Sequence, residues 1–271
     1  METMTRRKRK RNLLPVVLAV VLAVIVAALA LLVFRSLLPA AQREEPDPHA
    51  GQIYVNDGAN MVWLTPHENF AVSPLHRWQF VTLEGQPWYV GSEFAVRRGV
   101  DLSVFQKNVD WAKAAESGVE FAVIRLGFRG YGKGALQPDD LFDSHLDGAH
   151  TAGIDAGVYF FSQALTAEEG REEAQYVLER LKGRKLELPV YFDWEPISAE
   201  DSRTNGYDYA NLTDSAVAFC QTIQAAGYQA GVYINRQQGY YHYDLSRLAD
   251  YSLWVADYNA YPDFYYRFDM W

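Results

Sequence analysis

Val190-Tyr191-Phe192-Asp193-Trp194-Glu195-Pro196 is the stretch on which the reading of this chain turns. Its β-branched and aromatic start marks a strand, and Pro196 marks where a strand interior cannot continue. Side chains two apart on a strand share a face, so Asp193 and Glu195 point into one space. Neighbouring carboxylates repel, and one of such a pair keeps its proton to higher pH than a free acid. General acid catalysis requires that property. The plainer structural alternative is that the two acids cap the following loop or pair with Arg125.

On either side of this stretch, apolar strands alternate with helical patterns. The strands are expected at Gly99–Ser103, Phe121–Gly127, Ala156–Ser162, Leu188–Glu195, Ala230–Asn235 and Ser252–Tyr258. The helices are expected at Asn108–Ser117, Asp139–Ala152, Ala167–Leu181 and Leu212–Ala226. Such alternation predicts an α/β fold with a largely parallel sheet covered by helices, either an open doubly wound sheet or a barrel. Acids close three of the strands: Asp101 the first, Asp193 and Glu195 the fourth, Asp257 the sixth. In β/α barrels chemistry gathers at the C-terminal strand ends, so acids there carry information. Tyr159 and Phe161 alternate on the third strand, Tyr233 lies on the fifth and Trp254 on the sixth. Aromatic platforms of this kind suit the apolar faces of sugar rings, and each is equally at home in a core. The tyrosine-rich stretches at Tyr240-Tyr241 and Tyr261 to Tyr265 could wall a groove. Four acids would also suit calcium or magnesium. None of the six histidines falls at an expected strand end, which disfavours zinc. His145 and His150, five apart on a helix, read as surface residues. Gly127, Gly130, Gly132 and Gly134 lack the spacing of a phosphate-binding loop and read as a flexible loop.

Charge is distributed unevenly. Residues 1–12 hold six cations against one acid, a local charge of +5, so the remainder carries −14 of the net −9. An acidic body repels phosphates, which disfavours nucleic acid as a partner. Leu13 to Phe34 contains no charge, and 22 helical residues span about 30 Å, the thickness of a bilayer core. The flanking charges place the N-terminus in the cytoplasm and the body outside. The alternative is a cleaved signal peptide, which Leu38-Pro39-Ala40-Ala41 leaves open. The organisation expected is therefore a basic cytoplasmic tail (1–12), a transmembrane helix serving as signal anchor (13–35), a Pro-rich stalk (36–50), a small β module (51–97) and a main domain (98–271). Within the module, Phe80–Leu83 and Pro87–Val90 flank Glu84-Gly85-Gln86 as a hairpin. Cys220 is the single cysteine; it lies in an apolar helical run and reads as a buried structural thiol.

An ordered set of motifs resembles the lysozymes (muramidases) of glycoside hydrolase family 25. It comprises Arg98-Gly99-Val100-Asp101-Leu102-Ser103 with Gln106 and Asp110-Trp111, then Gly118 to Arg125, then Ala152 to Ser162. Asp193-Trp194-Glu195, Gly231-Val232-Tyr233 and Leu253-Trp254-Val255-Ala256-Asp257-Tyr258 follow in the family's order. The resemblance implies an irregular TIM-like β/α barrel that cleaves the β-1,4 bond between N-acetylmuramic acid and N-acetylglucosamine, without a cofactor or metal. It implies Glu195 as general acid, Asp193 as the group that orients the acetamido substituent or stabilises an oxocarbenium-like state, and Asp101 as an assisting acid. Asp257, Tyr159, Phe161, Arg125, Tyr233 and Trp254 are the expected substrate contacts. Val104-Phe105 stand where the family often has an aromatic pair. Family members typically run on from the position of Trp271 through a closing strand bearing another acid, so a barrel short of its last strand is expected.

The partner implied is the glycan strand of bacterial peptidoglycan, met by a single-pass protein of the cell membrane with its catalytic domain outside. Two competing functions are a catalytically inactive cell-wall-binding protein on the same fold and a metal-dependent hydrolase.

Overall fold

The computed structural model describes residues 14–37 and 47–271. The expected basic tail and most of the expected stalk lie outside the described residues. The chain divides after Ala50 into two compact units. Of the first, the described part is essentially one helix, α1 (Leu14–Leu37), whose apolar side chains from Val17 to Phe34 are exposed. By length and composition it is able to cross a membrane.

The second unit begins with two hairpins, β1 (Ile53–Asn56) with β2 (Met61–Leu64) and β3 (Phe80–Leu83) with β4 (Gln86–Tyr89). The second has a two-residue turn, Glu84-Gly85, with φ of 51° and 77°. Positive φ at both central positions gives the twist that a tight hairpin needs. Gln86 therefore joins β4 instead of the turn, one residue earlier than expected. These residues are tied to the chain's last segment. Val72 bridges Tyr266, Ser73 N–H donates to Tyr265 O at 2.9 Å, and Arg267 N–H donates to Ala71 O at 2.9 Å.

A seven-stranded sheet follows, built from β5 (Gly99–Leu102), β6 (Phe121–Arg129), β7 (Leu136–Pro138), β8 (Asp155–Ser162), β9 (Val190–Trp194), β10 (Ala230–Asn235) and β11 (Ser252–Ala256). Six strands are parallel in the order β11-β10-β9-β8-β6-β5, and β7 pairs antiparallel with β6. The helices α2 (Trp111–Glu116), α3 (Phe142–Thr151), α4 (Ala167–Leu181) and α5 (Leu212–Ala225) occupy the crossovers. The result is a curled, mostly parallel α/β half-barrel. Among the described residues β5 and β11 do not pair with each other, and the register of β11 is extended by Met270, whose carbonyl accepts from Val255 N–H at 2.8 Å.

Residue alternation makes the two faces of this sheet unlike. One set, including Ile124, Leu126, Val158, Phe160, Val190, Phe192, Trp194, Val232, Ile234, Leu253 and Val255, is buried and packs against Leu146, Val177, Phe219 and Ile223 of the helices. That layer is the core. The intervening set, Asp101, Arg125, Tyr159, Phe161, Asp193, Tyr233 and Trp254, faces the concave side, and all of these residues border one cleft. Gly231 shows how tight that face is: a Cβ there would lie 2.4 Å from Tyr191 Cε1.

Two expectations are corrected, the first in part. Of the glycines after the second strand, Gly127 lies within β6 and pairs with β7, whereas Gly130, Gly132 and Gly134 lie in the turn between the two strands, where Gly130 N–H donates to Ala135 O at 2.9 Å. The buried Arg129 fixes this hairpin, a tertiary cause that glycine content does not reveal. His145 is not at the surface. It is 2% exposed, edge-on to Trp111 at 5.9 Å, because it shares the inward face of α3 with Phe142, Leu146 and Ala149. His150 remains half-exposed and bonds Glu187 at 3.2 Å. Cys220 is buried as expected.

Candidate active site

Parallel pairing puts Phe161, Asp193, Tyr233 and Trp254 in register across four neighbouring strands. One layer deeper lie Arg125, Tyr159 and Tyr191. Trp194 projects to the opposite face, fully buried, and its indole Nε1 donates to Ala164 O at 2.8 Å. Asp193 and Glu195 consequently emerge on the same side, at the C-terminal end of the central strand. With Asp101 from β5 they border a cleft of about 350 Å³. All nine residues expected from the sequence border it: Asp101, Arg125, Tyr159, Phe161, Asp193, Glu195, Tyr233, Trp254 and Asp257. A wider depression of about 620 Å³ at the opposite pole, among the loops entering β9 and β10, gathers none of the cleft acids.

The electrostatics follow from burial. Asp193 is 6% exposed, and desolvation holds its proton affinity well above the ordinary carboxylate range. The charges of Glu195 and Asp101 push in the same direction, and Arg125 opposes them. Burial also raises Glu195, against a hydrogen bond from the Tyr233 phenol that favours its ionised form. Asp101 is raised by burial as well. Three mutually repelling carboxylates in one desolvated cleft retain protons where free acids would have lost them. Asp193 Oδ1 is buried without a hydrogen-bond partner among the described residues, which leaves it available to a donor on a bound molecule.

Arg125 does not pair with these acids. Its Nε and Nη2 each lie 2.8 Å from Oδ2 of the buried Asp139, and its guanidinium is stacked over Phe105 at 5.1 Å. It acts on Asp193 as a fixed positive charge at a distance. Asp257 borders the cleft, yet its carboxylate is committed elsewhere. It pairs with Arg236 at 2.6 Å and accepts from the Asn259 and Asp263 amides at 3.0 Å each. Trp254 is the aromatic hub, with Tyr233, Tyr191 and Tyr159 edge-on at 4.8, 5.5 and 6.0 Å.

Ser103, Phe105, Tyr258 and Trp271 also border the cleft and were not singled out from sequence. Tyr258 follows the acid-ending strand directly, a signal that was there to be read. Trp271 is held by a hydrogen bond from its Nε1 to Asp257 O at 2.6 Å. The tyrosines expected to wall the groove do other work. Tyr240 is buried with its hydroxyl on Tyr265 N at 3.0 Å, and Tyr241 donates to Asp57 at 2.7 Å. Among the described residues no group of three or more His, Cys, Asp or Glu is arranged to hold a metal ion.

The sheet order, the acids at its strand ends and the aromatic hub define an α/β half-barrel with an acidic, aromatic-lined cleft at its C-terminal strand ends. The chain belongs to the glycosyl hydrolases family 25, whose family model matches residues 100–271. It is similar to the autolytic lysozyme of Clostridium acetobutylicum, 26% identical over 164 residues that cover 60% of this chain and 45% of that protein. It is also similar to lysozyme M1 of Streptomyces globisporus, 30% identical over 79 residues that cover 29% of this chain and 25% of that one. The chain thus spans less than half the length of these curated relatives. Among solved structures the modular autolysin LytC from Streptococcus pneumoniae shares the fold, with a TM-score of 0.56 and 23% identity over 69% of this chain and 46% of that one. The same autolysin in complex with a synthetic peptidoglycan ligand gives a TM-score of 0.55 at 23% identity, with the same shares of the two chains.

Proposed function

We propose that this chain is a muramidase that hydrolyses the β-1,4 bond between N-acetylmuramic acid and N-acetylglucosamine in bacterial peptidoglycan. The observation that carries this reading is the gathering of Asp101, Asp193 and Glu195 in one aromatic-lined cleft, each with raised proton affinity. Family membership and two relatives named lysozymes support the substrate class. Glu195, half-buried and touched by Tyr233, donates its proton to the bridging oxygen as the bond to the anomeric carbon breaks. Positive charge then develops on that carbon and on the ring oxygen, where Asp193 and Asp101 stabilise it in their ionised forms. The free Oδ1 of Asp193 suits the acetamido N–H of the sugar. Water adds at the anomeric carbon and returns a proton to Glu195, so the cycle closes without a cofactor. Trp254, Tyr159 and Phe161 offer ring faces and edges to the sugars, and Arg125 tunes the charge of Asp193.

The test is release of reducing ends from purified peptidoglycan by the full chain in detergent. Glu195→Gln is expected to lower turnover about 100- to 10,000-fold, the range of general acid catalysis. Normal turnover in that variant defeats the assignment. Binding without cleavage by the unaltered chain would favour the inactive wall-binding protein, and loss of activity on chelation would favour the metal-dependent hydrolase.

α1 supports export, and we read it as a signal anchor that holds the enzyme at the outer face of the cell membrane. Retention of the intact chain in membranes after an alkaline carbonate wash is the expected result. A mature chain beginning near Ala41 would replace the anchor with a cleaved signal.

A further inference from the structure

The strand that carries the acids runs out of backbone partners at the point where the chemistry begins. The last registered pairs of β9 are Trp194 with Ser162 of β8 and Asp193 with Tyr233 of β10. Among the described residues no registered strand pair of β9 lies beyond these. Two buried glutamines fill the gap from opposite sides. Gln163, directly after β8 and fully buried, donates from Nε2 to Glu195 O at 2.5 Å and to Ser162 O at 2.9 Å. Gln238, beyond β10 and 3% exposed, donates from Nε2 to Trp194 O at 2.6 Å. Gln238 is itself locked by a reciprocal pair with Asn235. Asn235 N–H donates to Gln238 Oε1 at 3.0 Å, and Gln238 N–H donates to Asn235 Oδ1 at 2.9 Å. The Trp194 indole is anchored on Ala164, next to Gln163. Pro196 then restricts the backbone of Glu195 to extended conformations.

We infer that Gln163 and Gln238 are positioning residues for the reaction: they clamp consecutive carbonyls of the Trp194–Glu195 segment and thereby set the direction in which the Glu195 carboxyl enters the cleft. The amide is the required group, because only a neutral side chain with a donor satisfies a buried carbonyl without adding a charge beside three acids. The segment therefore depends on two neighbouring strands for its geometry, and displacement of Glu195 by about 1 Å is enough to cost two orders of magnitude in rate. This rests on the assignment of Glu195 as the acid.

The experiment measures the pH dependence of kcat and KM on purified peptidoglycan for the full chain and for Gln163→Met and Gln238→Met. Each is expected to lower kcat about 10- to 100-fold with KM held within about twofold. Because a displaced Glu195 loses the Tyr233 hydrogen bond that favours its ionised form, the alkaline limb of kcat moves to higher pH. In a Tyr233→Phe background the same glutamine substitution is expected to add no further shift. Unchanged kcat and limb overturn the inference, and so does a lower kcat with an unmoved limb, since plain structural damage reduces the height of the profile without moving it. If a methionine variant fails to fold, Gln163→Asn, which keeps the amide one methylene short, takes its place under the same criteria. Full activity in Glu195→Gln would instead strike the acid assignment and leave the clamp as backbone architecture.

Discussion

Arg129→Met is the perturbation whose cost is best worked from the structure. Arg129 is 4% exposed and binds Glu173 at 2.6 Å, Glu172 at 2.8 Å, the Gly134 carbonyl at 2.9 Å and the Glu169 carbonyl at 3.1 Å. It ties α4 to the β6–β7 hairpin, and Glu173 is also bonded by Ser162 at the C-terminal end of β8. Glu173 is fully buried, and desolvation pushes it up to about 7 even against the pull of Arg129. The acid binds its proton more tightly folded than unfolded, where its ordinary value is 4.5. Its contribution to stability is therefore complete below pH 4.5 and is lost as pH rises towards 7. Below pH 7 the folded protein holds Glu173 neutral, and removing Arg129 costs its hydrogen bonds, about 2 kcal/mol. Above pH 7 the native Glu173 ionises beside Arg129, whereas in the variant it must stay protonated. The loss then grows by about 1.4 kcal/mol per pH unit and reaches about 4–5 kcal/mol at pH 9, as for other broken buried pairs. Urea unfolding followed by tryptophan fluorescence measures this in the full chain, since all seven tryptophans lie at or beyond Trp63 and none is in α1. An equal loss at pH 6 and pH 9 would show that Glu173 is ionised throughout and refute the reasoning.

Three further outcomes are expected. Tyr233→Phe removes the hydrogen bond that favours ionised Glu195, so the acid keeps its proton longer and the alkaline limb of kcat moves to higher pH; a limb that moves down contradicts this. Asp101→Asn removes a charge that raises the proton affinity of Asp193, so the apparent ionisation of the carboxylate group shifts to lower pH, as read from the same profile or from carboxyl NMR signals in the labelled protein. Gly231→Ala places a methyl 2.4 Å from the Tyr191 ring and 2.8 Å from Ser252 O; overpacking of this kind costs about 1–3 kcal/mol, and an unchanged unfolding midpoint would mean the concave face is looser than described.

The site was legible from sequence to the extent that period-two alternation controls it. Once a strand is read over Leu188–Glu195, the side of the sheet taken by Asp193 follows, as does that of Tyr159, Phe161, Tyr233 and Trp254 on their own strands. Acids at strand ends stood out because the alternate residues were uniformly apolar. What stayed hidden depends on chain segments distant in sequence meeting at one level. Nothing local distinguishes Gln163 or Gln238 from surface glutamines, since each acquires its task only when β8, β9 and β10 end side by side. The burial of His145 is masked in the same way, because its spacing from His150 carries no information about the inward face of α3 that it shares with Phe142, Leu146 and Ala149. Asp257 is a further case: its position at a strand end points to the cleft, which it does border, while its ion pair with Arg236, 21 residues earlier, has no local signal. Strand periodicity thus specifies which side chains can reach the cleft. Which of them are free to act there is set by the partners that the ends of neighbouring strands supply, and the acids that remain unpaired, Asp193 above all, are the ones on which catalysis can draw.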